Sequence, residues 1–149
     1  MELTASQING IWQELEMGLE RLFLHKADGR LIRLPSQELI DNSWDEEEME
    51  ELRGNYDFVE FEKNPDDFFE LEPMDSRESY EVMLSFVEGR NGENQRKMFD
   101  ILEGRRPFAK FKNFLSYHRD LQEDWFKHKA KCYADYVKAQ VEDFNDWRK

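Results

Sequence analysis

Apolar residues near the N-terminus follow the period of an amphipathic helix. After Ser6 they recur mostly three or four residues apart, so they line one face of a helix that needs a surface to pack against. This apolar stripe consists of Ile8, Ile11, Trp12, Leu15 and Leu19. The pattern predicts a first helix that contributes to the core.

The pattern then changes to short β-compatible runs. Residues 21–26 and 30–34 flank Ala27-Asp28-Gly29, and an Asp-Gly pair favours the tight turn of a β-hairpin. A third β-compatible run over residues 56–62 predicts another antiparallel strand beside this hairpin. The segment between them, residues 37–54, is so acidic that any helix in it is expected to lie on the surface.

From Asp75 onward the period is helical again. Asp75 and Glu78 have the spacing of a capping box, and Gly89 is placed to end the helix that they begin. A shorter helix is predicted to end at Gly104. The apolar stripes of these two helices are Tyr80, Met83, Leu84 and Val87, and then Met98, Ile101 and Leu102.

Two further helices complete the predicted pattern. Pro107 is well placed as the first residue of one, because its missing N–H is not needed there. Phe108 and Phe111 are predicted to bury on one face with Leu115, since residues three or four apart share a face. The long last helix has the stripe Phe126, Ala130, Tyr133, Val137, Val141 and Phe144.

These elements predict an α+β fold. It has a small antiparallel sheet of about three strands in the N-terminal half, packed with an N-terminal helix and with C-terminal helices. A length of 149 residues suits one domain, and we expect residues 1–149 to form a single domain. Twelve Phe and four Trp supply the apolar area of a folded core.

Charge is distributed unevenly along the chain. The net charge is -13, but residues 1–104 carry -17 and residues 105–149 carry +4. Such an acidic chain disfavours nucleic acid and anionic membranes and favours a protein partner with a basic surface. The single cysteine, Cys132, excludes an internal disulfide, and the N-terminus lacks a signal-peptide pattern. We therefore expect a cytoplasmic protein without membrane association.

Three segments resemble an uncharacterised family of bacterial proteins, number 0158 of the UPF series. They are residues 75–80, residues 104–112 and the pair Trp125-Phe126. The resemblance implies a small cytoplasmic bacterial protein, and it implies no activity, substrate or catalytic residue. The chain departs from the family pattern at Arg106, where a small residue such as glycine is expected, and at Ala109, where a basic residue is usual.

The charge reversal begins in a segment with candidate binding residues. Arg105, Arg106, Lys110 and Lys112 lie around the predicted helix start at Pro107, where cations oppose the helix dipole. They could bind an anion or an acidic partner together with free backbone N–H groups. Alternatively, the two arginines pair with carboxylates of the protein itself. Stacking of nucleic acid on Phe108 and Phe111 is disfavoured because both rings are predicted to be buried.

The acidic segment over residues 45–51 is a second candidate. Glu47 and Glu51, with Trp44 as an aromatic anchor, could form a docking surface for a basic partner. The alternative is a solvated acidic face without a partner. The segment lacks the alternating ligands and the glycine turn of a calcium loop.

Catalytic and cofactor patterns are missing from the sequence. His25, His118 and His128 have no metal-ligand spacing, and seven scattered glycines form no phosphate-binding loop. We therefore expect no cofactor, no metal and no catalytic residue. The expected function is a non-enzymatic protein-binding or regulatory module with an acidic surface. The alternative is an enzyme or ligand-binding protein for a small anionic molecule held at Arg105 and Arg106.

Overall fold

The computed structural model describes residues 2–149, apart from the side chain of Ser43. The elements are α1 Ala5–Met17, β1 Glu20–His25, β2 Leu31–Pro35, α2 Gln37–Ser43, α3 Glu46–Arg53, α4 Tyr56–Lys63, β3 Phe68–Leu71, α5 Ser76–Glu88, α6 Gly92–Glu103, α7 Pro107–Ser116 and α8 Arg119–Trp147. A short 3-10 turn, Pro65–Asp67, precedes β3. The α+β prediction is confirmed, with the three-stranded sheet in the N-terminal half.

The chain divides into two compact units. The sheet unit comprises the residues up to Pro73 together with Ala134–Lys149, and the helical unit comprises Met74–Tyr133. The sheet unit has 9 Lys and Arg against 24 Asp and Glu, net -15, whereas the helical unit has 12 against 10, net +2. The expectation of a single domain over residues 1–149 is not decided by this division and stays a prediction.

The sheet unit is built on the predicted hairpin. The strand order is β2-β1-β3, and both pairings are antiparallel. Gly29 takes a φ of 73° in the turn, a left-handed conformation that glycine adopts at low cost. Helix α1 begins at Thr4, whose side chain forms a capping box with Gln7. The core of this unit is Ile8, Ile11, Leu15, Leu22, Leu24, Leu71, Val137, Val141 and Phe144.

The prediction of a strand over residues 56–62 is wrong. This segment is helix α4, and the third strand is β3, which pairs with β1. Asn55 begins α4 by accepting a hydrogen bond from the Phe58 N–H at 3.0 Å. Phe58 and Phe61, three residues apart, pack on the cluster that contains Phe23. In so short a segment the apolar positions fit both periods, so the helix cap decides the outcome.

The helical unit has a separate core. Its buried residues are Met83, Phe86, Val87, Met98, Leu102, Phe111 and Leu115. The Trp125 ring packs edge-on against Phe86 and Phe111, with centroid distances of 5.5 and 5.1 Å. The predicted capping box of Asp75 and Glu78 is present at the start of α5. The predicted start of α7 at Pro107 is confirmed as well.

Two aromatic residues predicted to be buried are exposed. Phe108 is 44% exposed and Phe126 is 55% exposed. Phe111 and Leu115 define the buried face of α7. Phe108 lies only about 20° around the helix from Leu115 at 3.6 residues per turn, so helical rotation alone does not explain its exposure. In α8, Trp125 takes the core position, so its neighbour Phe126 is rotated towards solvent.

Candidate functional site

The start of α7 brings the predicted basic residues to one place on the chain. We call Arg105, Arg106, Lys110 and Lys112 the α7 basic site. Arg106 is the N-cap residue and has a φ of 52°, and no side chain caps the helix. The first turn contains no acidic residue. The free N–H groups of this turn and the helix dipole therefore add to the positive charge of the side chains.

All four side chains of the α7 basic site are exposed. Within residues 2–149, none of them forms an ion pair or a hydrogen bond, although ion pairs are frequent elsewhere in the chain. The alternative in which Arg105 and Arg106 pair with carboxylates of the protein is therefore not found. The positive charge at this helix start is left uncompensated by side chains.

Phe108 belongs to the same surface, which the sequence pattern did not predict. Phe108 and Lys112 are four residues apart on α7, so they share a face. Exposed aromatic and arginine side chains, unlike lysines, are enriched at protein interfaces. The burial prediction for Phe108, which was used against a role in binding, is wrong.

The acidic candidate residues lie on and beside α3. Asp45 caps this helix by accepting a hydrogen bond from the Glu48 N–H at 2.9 Å. Glu47 and Glu51 are exposed, lie one turn apart and have no ion pair within the described chain. Trp44, the C-cap residue of α2, is half-buried. Trp44 thus precedes α3, and Glu47 and Glu51 lie in its first and second turns.

A polar cluster around His25 was missed by the sequence analysis. His25 is buried, and its Nε2 lies 3.0 Å from Glu60 Oε1. The Ala27 N–H donates to Nδ1 at 3.0 Å, which places the ring proton on Nε2. Arg30 donates to the other Glu60 oxygen at 2.6 Å. The cluster fastens α4 to the hairpin, and no sequence signal indicates it because His25 and Glu60 are 35 residues apart.

The charge of Glu60 is stabilised by this cluster. Desolvation by burial raises the pKa of Glu60, but the hydrogen bonds from Arg30 and His25 outweigh it and hold the pKa below its ordinary value. Both ring nitrogens of His25 are engaged by the protein itself. The cluster therefore serves a structural purpose and leaves no ring nitrogen to act on a substrate.

A second histidine in the helical unit contacts two potential nucleophiles. His128 Nε2 lies 2.8 Å from Ser85 Oγ and 3.5 Å from Cys132 Sγ. Burial, followed by repulsion from Arg90 and Lys131, lowers the pKa of His128, against the opposing effect of a Val82 carbonyl hydrogen bond. Cys132, on α8, is half-buried.

These observations define a small α+β protein whose negative net charge is carried by the sheet unit. The chain belongs to the uncharacterised protein family UPF0158, whose model matches residues 18–144. This match confirms the resemblance seen in segments 75–80 and 104–112. Comparison with curated proteins and with solved structures finds no significant match.

Neither a group of metal ligands nor a membrane-spanning helix is present in the part of the chain that the structure describes. Residues 2–149 contain no cluster of three or more His, Cys, Asp or Glu side chains that could hold a metal ion. None of the helices in this range combines the length and the apolar character that crossing a membrane requires.

Proposed function

We propose that this protein is a non-enzymatic binding or regulatory module that docks a protein with a basic surface on α3. The observation that carries the proposal is the unneutralised pair Glu47 and Glu51. Like charges four residues apart destabilise a helix by about 0.2–0.5 kcal/mol. The pair stands in a unit of net charge -15, which adds to its repulsion and is relieved when a cationic surface binds.

Trp44 gives this surface an apolar contact next to the carboxylates. A half-buried tryptophan offers a large ring at little entropic cost, and such residues commonly dominate binding energy. The surrounding carboxylates steer a basic partner and set its orientation more than they set its affinity. Binding is therefore expected to depend on salt through its association rate.

The test is affinity capture of partners from a bacterial lysate, followed by binding measurements with the purified partner. We expect the double variant Glu47→Lys/Glu51→Lys to lose binding by at least tenfold, because reversing two charges turns attraction into repulsion. The matched control Glu142→Lys/Asp143→Lys makes the same change in net charge on exposed residues of α8. A partner that binds both variants equally contradicts the proposal.

A second function is favoured by the α7 basic site, which would hold a small anion or an acidic group of a ligand. Four exposed cations without internal partners support it, together with the free N–H groups of the helix start. Titration with inorganic phosphate, followed by amide NMR shifts, tests this candidate. Shifts at residues 105–109 that vanish in Arg105→Ala/Arg106→Ala support the function, and an absence of shifts in the wild type at about 50 mM salt excludes it.

A further inference from the structure

We propose that the free edge of strand β2 binds an extended, basic peptide segment of another protein, which adds to the three-stranded sheet as a further strand. The segment places apolar side chains in a groove between β2 and α1. All parts of this site belong to the sheet unit, so it does not rest on the arrangement of the two units. The site uses neither the α3 surface nor the α7 basic site, so its failure leaves the proposed function intact.

The backbone of β2 has unpaired groups on its outer side. The strand order β2-β1-β3 leaves β2 at an edge of the sheet. At one end of the ladder with β1, the His25 N–H donates to the Arg30 carbonyl at 3.0 Å. Hydrogen-bonded and non-hydrogen-bonded pairs alternate in an antiparallel ladder, so the N–H and C=O groups of Leu31 and Arg33 point away from β1. Among the described residues they have no partner, and such an edge is a template for an added strand.

A groove of about 480 Å³ lies between this edge and α1. Its apolar lining consists of Leu3, Ile11, Leu24 and Leu31. The side chain of Arg33 lies on the α1 side of β2, because its Nε donates to Glu14 of α1 at 2.8 Å. Residues directly opposite each other in an antiparallel pair have side chains on the same face. Every second side chain of an added strand therefore lies on the side of the groove.

Gly10 leaves space for such a side chain on the helix side. It lies in the interior of α1 and lines the groove, and no atom lies within 4 Å of the position that a Cβ would take there. Glycine in a helix interior is unfavourable relative to alanine. Packing within the chain gives no steric reason for this glycine, whereas the close approach of a bound segment does.

The charges around the groove favour a basic segment. Both arginines that line it are paired, Arg30 with Glu60 and Arg33 with Glu14. Glu2 lines the groove as well and, within residues 2–149, has no ion pair. The sheet unit has a net charge of -15, which attracts a cationic segment. A second copy of the chain would bring another unit of the same negative charge to this edge, so the occupant is a segment of a different protein.

The first measurement uses a synthetic peptide of alternating valine and threonine with a lysine at each end, acetylated and amidated. Amide hydrogen exchange at Leu31 and Arg33 is expected to slow about tenfold with bound peptide, because their N–H groups become hydrogen-bonded. Ile32 and Leu34 are internal controls, since their N–H groups already face β1. Unchanged exchange at Leu31 and Arg33 with about 1 mM peptide overturns the proposal.

Methylation of the peptide backbone tests the addition of a strand. In antiparallel addition, which matches both pairings of the sheet, the valines lie opposite Leu31 and Arg33 and their N–H groups face β2. N-methylation of the valines is therefore expected to weaken binding about tenfold, and N-methylation of the threonines less than about threefold. Equal weakening by the two modified peptides overturns the assignment of an added strand.

Filling the groove gives a matched pair of protein variants. Gly10→Leu is expected to fold, because a Cβ meets no atom there and leucine favours a helix more than glycine does. It is expected to bind the peptide about tenfold more weakly, since its side chain takes up space in the groove. Gln13→Leu adds the same side chain at an exposed position of α1 outside the groove and is expected to keep the wild-type affinity. Equal affinities of the two variants overturn the role of the groove.

The chemistry of the segment is tested by its charge and by protein concentration. Replacing both lysines of the peptide with glutamates is expected to weaken binding about threefold at low salt and less in about 0.5 M salt. An acidic peptide that binds as well as the basic one overturns the charge assignment. Exchange at Leu31 and Arg33 that slows with protein concentration in the absence of peptide would assign the edge to a second copy, and this result also overturns the proposal.

Discussion

The starts of α5 and α7 lie in the same unit, yet they are built in opposite ways. Asp75 caps α5 by accepting a hydrogen bond from the Glu78 N–H at 2.8 Å, and the Glu78 carboxylate accepts one from the Asp75 N–H at 3.2 Å. Helix α7 starts at Pro107, after the N-cap residue Arg106 in a left-handed conformation, and it has no side-chain cap and no acidic residue in its first turn. Side chains therefore satisfy backbone N–H groups at the start of α5, whereas no side chain caps the start of α7.

The difference shows where the stability of each helix comes from. Helix α5 is supported locally by its cap, whereas α7 depends on Pro107, which fixes φ, and on the burial of Phe111 and Leu115. A left-handed non-glycine residue costs roughly 1–2 kcal/mol. The conformational cost at position 106 is therefore due to the arginine side chain, and a glycine in the same backbone conformation would not bear it.

The largest expected effect concerns the anchor of α7. Phe111→Ala removes a fully buried ring and is expected to lower the free energy of unfolding by about 3–5 kcal/mol. Phe108→Ala, three residues earlier, removes an exposed ring and is expected to change it by less than about 0.5 kcal/mol. Urea denaturation followed by circular dichroism measures both. Comparable losses would show that α7 does not depend on Phe111 in the way described.

The second effect removes the cap of α5. Asp75→Ala is expected to cost about 1 kcal/mol, because the Glu78 N–H loses its acceptor. The matched change Arg106→Ala at the start of α7 removes no cap, so it is expected to be close to neutral. The same urea series compares the two variants. An equal loss in both would mean that the Arg106 side chain contributes to capping after all.

These two helix starts also mark what could be predicted from sequence. Asp75, Glu78 and Pro107 carry local signals that operate within one turn, and all were located correctly. Helix α4 was missed because Phe58 and Phe61 fit either period in a short segment. Contacts between residues that are far apart in the chain leave no such local signal in the sequence. The pairing of His25 with Glu60 therefore becomes visible only when the chain is folded.

The candidate residues show the same limit. The charge of the α7 basic site could be predicted from composition, but its lack of internal partners could not, since the sequence does not show which of the 34 acidic residues come near it. The exposure of Phe108 depends on which neighbour fills the core. Trp125 and Phe111 fill it together, and this is a property of packing between helices.

The third effect tests the backbone of α7. Arg106→Gly is expected to raise the free energy of unfolding by about 0.5–1 kcal/mol, because glycine adopts a φ of 52° without the steric cost that arginine bears. Arg105→Gly serves as the control, since Arg105 does not have a positive φ. Urea midpoints of the two variants provide the comparison. A stabilisation by Arg105→Gly of equal size would assign the effect to lost charge instead of relieved conformation.

The smallest expected effect separates stability from binding at the same helix start. Arg105→Glu places a negative charge where the helix dipole favours it and is expected to stabilise the protein by about 0.3–1 kcal/mol at low salt. The same change is expected to abolish the phosphate-induced NMR shifts at residues 105–109, because a carboxylate repels the anion. Arg105→Gln removes the charge without reversing it, so its stability and its phosphate-induced shifts should lie between those of the wild type and those of Arg105→Glu. If Arg105→Glu both destabilises the protein and keeps the shifts, the positive charge of this helix start is offset by a group that a carboxylate cannot replace.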